Sequence, residues 1–222
     1  MLPKVAYLSE ILSVVFFLCF IKRNKKEGLW IIFLSCVFSI VAEIAASIII
    51  ITKVYQKYMF YFWASYTIVE YSFYAIFFYA TFKNKKTKYI PIIGTLIFYS
   101  IFSFTFFNKN TQAFDSLSAS MEAILMIINC IVFLYGQITS SEIIYVYNTK
   151  KFWIVIAIFL YFSSTLFLFL FAADFANPQS SNYWVINNLF EILKNTLFCI
   201  SFAMKKSDAN KNTINTYNPD LL

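Results

Sequence analysis

Apolar residues in this chain fall into seven long runs that are separated by short polar segments. A helix of about 20 apolar residues crosses the hydrocarbon core of a bilayer, and each run approaches or exceeds that length. The predicted helices cover about residues 5–21, 28–52, 59–82, 89–107, 117–135, 152–173 and 183–204. The pattern predicts an all-α integral membrane protein, with a bundle of about seven transmembrane helices over residues 1–204.

The polar segments between and after the runs complete this prediction. The first run has no small-residue cleavage site before Lys22, so we expect a retained helix rather than a signal peptide. We expect Pro91 in the first turn of the fourth helix, where its missing N–H group costs little. Residues 137–151 are expected to lie along the cytoplasmic interface. Residues 205–222 are polar without a repeating apolar pattern, which predicts a disordered cytoplasmic tail.

Positive charge is distributed unevenly among these segments. The loops after the second, fourth and sixth predicted helices carry only Lys53, Lys57 and Lys109. The other loops and the tail carry clusters, which are Lys22, Arg23, Lys25 and Lys26; Lys83, Lys85, Lys86 and Lys88; Lys150 and Lys151; and Lys205 and Lys206. Because basic loops stay inside, the N-terminus is predicted outside and the C-terminus in the cytoplasm.

These clusters also account for the net charge of +7. Each cluster lies at the end of an apolar run, where it orients the helix and contacts anionic headgroups. We therefore predict no direct nucleic-acid binding, and the lipid bilayer is the partner that the charge pattern indicates.

Composition supports a membrane location and argues against most enzyme classes. Charged residues make up 13% of the chain, against roughly 25% in soluble domains. Abundant Ile, Phe, Tyr, Lys and Asn indicate an AT-rich bacterial genome, so the predicted location is the bacterial cytoplasmic (inner) membrane. Histidine is absent, which removes the commonest zinc ligand and the usual general base. The cysteines form no CxxC pair, and three glycines cannot build a phosphate-binding loop. We expect a non-enzymatic protein with no metal and no cofactor.

Acidic residues within the predicted helices lie at one depth. At a rise of 1.5 Å per residue, each is about 18–22 Å from the predicted cytoplasmic edge, in the outer half of the membrane. They are Glu10, Glu43, Glu70, Glu122 and Glu191.

Helical spacing places further polar residues on the same faces as these glutamates. Ser39 lies four residues before Glu43, and Lys194 lies three residues after Glu191, where it can pair with it. Polar stripes mark helix–helix interfaces because lipid cannot satisfy their hydrogen bonds. The predicted intramembrane polar site consists of Glu10, Glu43, Glu70, Glu122, Glu191, Lys194, Tyr66, Tyr74 and Asn195.

Two functional hypotheses follow, because an intramembrane carboxylate costs a few kcal/mol unless it is protonated, paired or bound to a cation. In the first, the site binds a cation or a small cationic solute, as in a transporter, channel or receptor. In the second, the glutamates serve helix packing only, and the chain is an accessory protein with a cytoplasmic protein partner. In size and composition it resembles the multi-pass accessory proteins found beside bacterial RNA-targeting CRISPR nucleases and other antiviral defence systems. The sequence makes no prediction of oligomeric state.

Overall fold

The computed structural model describes residues 2–52, 59–107, 116–139, 146–170 and 184–205. In these residues the fold is helical throughout, with a short 3-10 helix, Val146–Asn148, and no strand. The α-helices are α1 (Leu2–Cys19), α2 (Ile21–Lys26), α3 (Trp30–Thr52), α4 (Met59–Thr81), α5 (Lys85–Phe107), α6 (Ser116–Ile138), α7 (Lys150–Leu170) and α8 (Trp184–Ala203). The predicted cytoplasmic tail falls almost entirely outside the described residues, as does part of the predicted interfacial segment.

Five of these helices are long and apolar enough to cross a membrane, namely α1, α3 over Trp30–Ile49, α5, α6 and α7. They indicate a multi-pass membrane protein in contact with lipid. The helices α4 and α8 have 23 and 20 residues but are less apolar, because they carry many of the tyrosine, asparagine and charged side chains. Both pack within the same bundle.

Six of the long helices form a closed ring. Along this ring α1 packs against α3, α3 against α4, α4 against α6, α6 against α7, α7 against α8, and α8 against α1. The remaining long helix, α5, lies outside the ring against α4 and α6. Its exposed apolar residues, such as Leu96 and Phe104, suit contact with lipid tails. The ring therefore has an interior to which six helices contribute.

Aromatic side chains pack between helices at one end of this interior. Phe17 of α1 stacks on Phe33 of α3 with ring centroids 4.4 Å apart, and it meets Phe202 of α8 edge-on at 5.2 Å. Phe77 and Phe78 of α4 are also buried. This dense packing lies in the half of the bundle that carries the basic clusters.

The turn from α1 into α3 differs from the predicted one. The first helix ends at Cys19, and the basic cluster forms the separate helix α2. Gly28 ends α2 with φ = +75°, a left-handed conformation that glycine adopts without strain. The Gly28 N–H group donates to Lys25 O and the Leu29 N–H group to Asn24 O, which is the Schellman pattern of a helix end.

The start of α5 also differs from the prediction. The helix begins at Lys85 rather than at residue 89, because the Asn84 side chain caps it by accepting a 3.0 Å hydrogen bond from the Lys86 N–H group. As a result Pro91 lies in the second turn rather than the first, and the helix continues past it.

The position of Lys150 differs from the prediction that both lysines of its cluster, Lys150 and Lys151, contact lipid headgroups. Its side chain is buried, and its Nζ donates a 2.7 Å hydrogen bond to Asn24 Oδ1 and lies 3.5 Å from Glu27 Oε1. The Ser201 hydroxyl donates to the Lys150 carbonyl at 2.9 Å. Lys150 therefore joins α2, α7 and α8.

Arg23 makes a second connection at this end. Its Nη2 donates to the carbonyls of Phe202 and Ala203 at 3.0 and 2.6 Å, which belong to the last turn of α8. A cation suits this position because the helix dipole and the unpaired carbonyls are negative there. The basic ends of α2, α7 and α8 thus meet in one polar network.

We predict that Lys150→Met destabilises the protein by roughly 1–3 kcal/mol, because it leaves Asn24 Oδ1 buried without a donor. The free energy of unfolding in mild detergent is the measurement. Lys151→Met is the matched control, since this neighbour is only half-buried and the donor to Asn24 Oδ1 is Lys150. Equal destabilisation by the two variants would contradict the structural role of Lys150.

Candidate functional site

A cavity of about 430 Å³ lies inside the ring, among residues of α3, α4, α6, α7 and α8. Its lining comes from the N-terminal halves of α4, α6 and α8 and the C-terminal halves of α3 and α7. These are the halves farther from the basic clusters. Four carboxyl groups line it, those of Glu43, Glu70, Glu122 and Glu191, together with the aromatic rings of Trp63, Tyr66, Tyr161 and Trp184.

Three carboxyl groups from three helices converge on one wall. Glu10 of α1, Glu43 of α3 and Glu191 of α8 each offer an oxygen, and these oxygens lie within 4.8 Å of one another. Glu10 and Glu191 are buried, whereas Glu43 is half-buried. We refer to these residues as the glutamate triad.

In the ranges that the structure describes, one oxygen of Glu10 has a hydrogen-bond partner and the other has none. The Ser39 hydroxyl donates to Glu10 Oε1 at 2.7 Å, while Glu10 Oε2 is buried and has none. Glu10 is 1% exposed, so bulk solvent does not supply the missing hydrogen bond to this oxygen. A buried carboxyl oxygen without a donor or cation is costly.

Lys194 of α8 brings a positive charge to the carboxyl groups. Its Nζ lies 3.9 Å from Glu70 Oε1 and 3.9 Å from Glu191 Oε1. It also lies 4.2 Å from the centroid of the Tyr161 ring, within the range of a cation–π interaction. The Tyr161 hydroxyl in turn donates to Asn187 Oδ1 at 3.2 Å.

Polar contacts connect the triad with Glu70. The phenol groups of Tyr66 and Tyr74 are hydrogen-bonding partners of the Glu70 carboxyl group. The Tyr66 hydroxyl also lies 3.1 Å from the Ser39 hydroxyl, which holds Glu10. A chain of side chains therefore runs from Glu10 through Ser39 and Tyr66 to Glu70.

Glu122 lies across the same cavity on α6. It is 3% exposed, and its Oε1 is buried without a hydrogen-bond partner. Glu10 and Glu122 thus each retain an oxygen that the described part of the protein leaves unsatisfied.

The structure brings most of the predicted site residues together, and two of them serve other contacts. Tyr74 is a hydrogen-bonding partner of Glu70, and its ring packs edge-on against Phe162 with centroids 5.8 Å apart. Asn195 donates to the Ser9 hydroxyl of α1 at 3.1 Å, a contact between helices. Both border a void of about 10 Å³ beside Lys194, close to the volume that one water centre needs.

Several cavity residues escaped the sequence analysis. Tyr161 was missed because α7 has no charged residue in its interior, although Thr165 four residues later forms a polar pair with it. Trp63 and Trp184 were also missed, since aromatic residues make up 22% of the chain and single out no position. Asn188 also lines the cavity and was missed.

The cavity has an excess of carboxyl groups over cations. Among the described residues around it, Lys194 faces the carboxyl groups of Glu10, Glu43, Glu70, Glu122 and Glu191. One ammonium group cannot offset five anions in a medium of low dielectric constant. Protons or a bound cation must therefore neutralise the others.

No protein-family model matches the chain, and neither a curated protein nor a solved structure matches it.

We predict that Tyr161→Phe lowers the free energy of unfolding by about 1 kcal/mol, the contribution of its hydrogen bond to Asn187. Tyr161→Leu also removes the ring beneath Lys194 and should cost about 2 kcal/mol more. Detergent unfolding of both variants is the measurement. The same loss in both would show that the ring face does not stabilise the ammonium group.

Proposed function

We propose that this protein binds a small cationic solute in its glutamate-lined cavity and acts as a transporter, channel or receptor, without catalysing a reaction. The observation that carries the proposal is the convergence of four carboxyl groups on one cavity that six aromatic side chains also line.

Charge favours a cation over a neutral or anionic ligand. Two buried carboxyl oxygens, Glu10 Oε2 and Glu122 Oε1, have no hydrogen-bond partner among the described residues. A cationic ligand offsets these groups, while an anion would add to the repulsion. Ionisable residues within membrane spans generally mark ion or substrate pathways and binding sites.

Size and lining favour an organic cation in particular. A volume of about 430 Å³ lies within the usual range of small-molecule sites, about 300–1,000 Å³. The rings of Trp63, Tyr161 and Trp184 supply apolar walls, and aromatic faces attract quaternary ammonium groups. The proposed ligand class is a small amine or quaternary ammonium compound.

The proposed arrangement in the bacterial cytoplasmic membrane has seven spans, with α4 and α8 as the two additional ones. Their charged residues, Glu70, Glu191 and Lys194, are buried in the ring interior. The N-terminus lies outside and the basic end lies in the cytoplasm, in accord with the positive-inside rule. The cavity then lies toward the outer face.

Reporter fusions test this orientation. Alkaline phosphatase fused after Asn110 should be active because that position is outside, and fused after Lys88 it should be inactive. Green fluorescent protein at the C-terminus should fluoresce. The reverse activities at the two phosphatase positions would overturn the proposed orientation.

Choline binding tests the proposed ligand class. We expect choline to raise the thermal unfolding midpoint of the protein in uncharged maltoside micelles, because its charge and methyl groups suit the cavity. The uncharged isostere 3,3-dimethylbutan-1-ol controls for shape and should give no shift.

Two carboxyl variants complete this experiment. Glu122→Gln should weaken the choline effect, whereas Glu27→Gln, which alters a carboxyl group at the basic end, should leave it unchanged. If the glutamates serve helix packing only, as in the accessory role, choline should have no effect on the unaltered protein or on either variant. That result would overturn the proposed ligand class.

A further inference from the structure

We infer that Glu10, Glu43 and Glu191 form a second kind of site at the edge of this cavity, one for a hard inorganic cation of about the size of Ca²⁺. This inference rests on the proposed function, because the cavity is the route by which the ion would reach the triad. The organic solute would occupy the wider space among the aromatic rings.

The spacing of the oxygens selects the size of the ion. Ca²⁺ binds oxygen at about 2.3–2.6 Å, so ligands on opposite sides of it lie up to about 4.6–5.2 Å apart. The triad oxygens, within 4.8 Å of one another, already match that span. Mg²⁺, with bonds of about 2.0–2.1 Å, would require any pair more than about 4.2 Å apart to move closer.

The donor atoms select the kind of ion. The triad offers carboxyl oxygens alone, and hard cations such as Ca²⁺ prefer these to nitrogen or sulfur. Ca²⁺ takes six to eight oxygen ligands, so water from the cavity would complete the set. Half-buried Glu43 lines the cavity and connects it with the two buried members.

An independent observation points to a ligand at the triad. Glu10 is 1% exposed, and within the described part of the chain its buried Oε2 has no hydrogen-bond partner. The Ser39 hydroxyl satisfies the other oxygen, so this one is left for a ligand. Helix packing alone gives no reason to leave a buried carboxyl oxygen without a donor.

Lys194 acts as a tethered competitor for this ion. Its ammonium group lies 3.9 Å from Glu191 Oε1, so it neutralises part of the charge that would attract Ca²⁺. It is shared with Glu70 at the same distance and can shift its pairing toward that residue. Removing this positive charge should therefore tighten ion binding.

Calorimetric titration of the full chain with CaCl₂ tests the inference, with EDTA-washed protein in maltoside micelles. We expect one Ca²⁺ per chain and weaker binding of Mg²⁺. Glu10→Gln and Glu43→Gln should each weaken Ca²⁺ binding about tenfold or more, because each removes one charged ligand while keeping the side-chain shape. Glu27→Gln should bind Ca²⁺ as the unaltered protein does.

Lys194→Gln gives a test of opposite sign. We expect it to tighten Ca²⁺ binding about tenfold, in accord with the loss of a unit charge near the triad. If Lys194 has only a structural role, its replacement would lower the unfolding temperature without tightening the binding of Ca²⁺, and that result would overturn its competing role.

Because Glu43 is half-buried, Glu43→Gln keeps the triad testable if a more buried variant fails to fold.

The outcomes separate this inference from the proposed function. Choline binding without Ca²⁺ binding, or Ca²⁺ binding that Glu43→Gln leaves unchanged, overturns the triad site alone. Ca²⁺ binding that is lost in the triad variants, without choline binding, supports the triad and overturns the organic ligand class. Absence of both overturns both.

Discussion

The fold depends on one electrostatic constraint, since a carboxyl group inside a membrane protein must be paired, protonated or bound to a cation. Five of the ring helices carry such a group or its partner lysine, and all of them place it in the interior. Helix α7 contributes Tyr161, which supports Lys194. Helix α5 has no acidic residue and lies outside the ring. The position of each helix thus agrees with the polar groups that it must hide from lipid.

The two ends of the bundle resolve this constraint differently. At the basic end, Lys150 and Arg23 find oxygen partners on other helices, and phenylalanines of α1, α4 and α8 are buried there. At the other end, the carboxyl groups around the cavity outnumber the cations that the described residues place there, and aromatic side chains line the cavity. The side-chain contacts at the basic end connect helices that are distant in the chain.

Within the cavity, Lys194 links the two proposed ligands. Its ammonium group occupies the position of a cation between Glu70 and Glu191 and rests on an aromatic face. A cation that enters from outside therefore competes with the Lys194 ammonium group for the same carboxyl groups. In our proposal, the balance between the tethered and the free cation sets the affinity of the site.

Helix content, the polar faces and the shared depth of the glutamates follow from local sequence, because the periodicity and rise of a helix fix where side chains lie along it. Those rules predicted that Glu191 and Lys194 would pair, and the two groups are 3.9 Å apart. Tertiary packing decided what depends on neighbours distant in the chain. It buried Lys150 against Asn24, brought Glu10 to Glu43 and Glu191, and placed Tyr161 under Lys194. Sequence spacing specifies height and face on one helix, but the order of helices around a ring is set by how all their surfaces pack together.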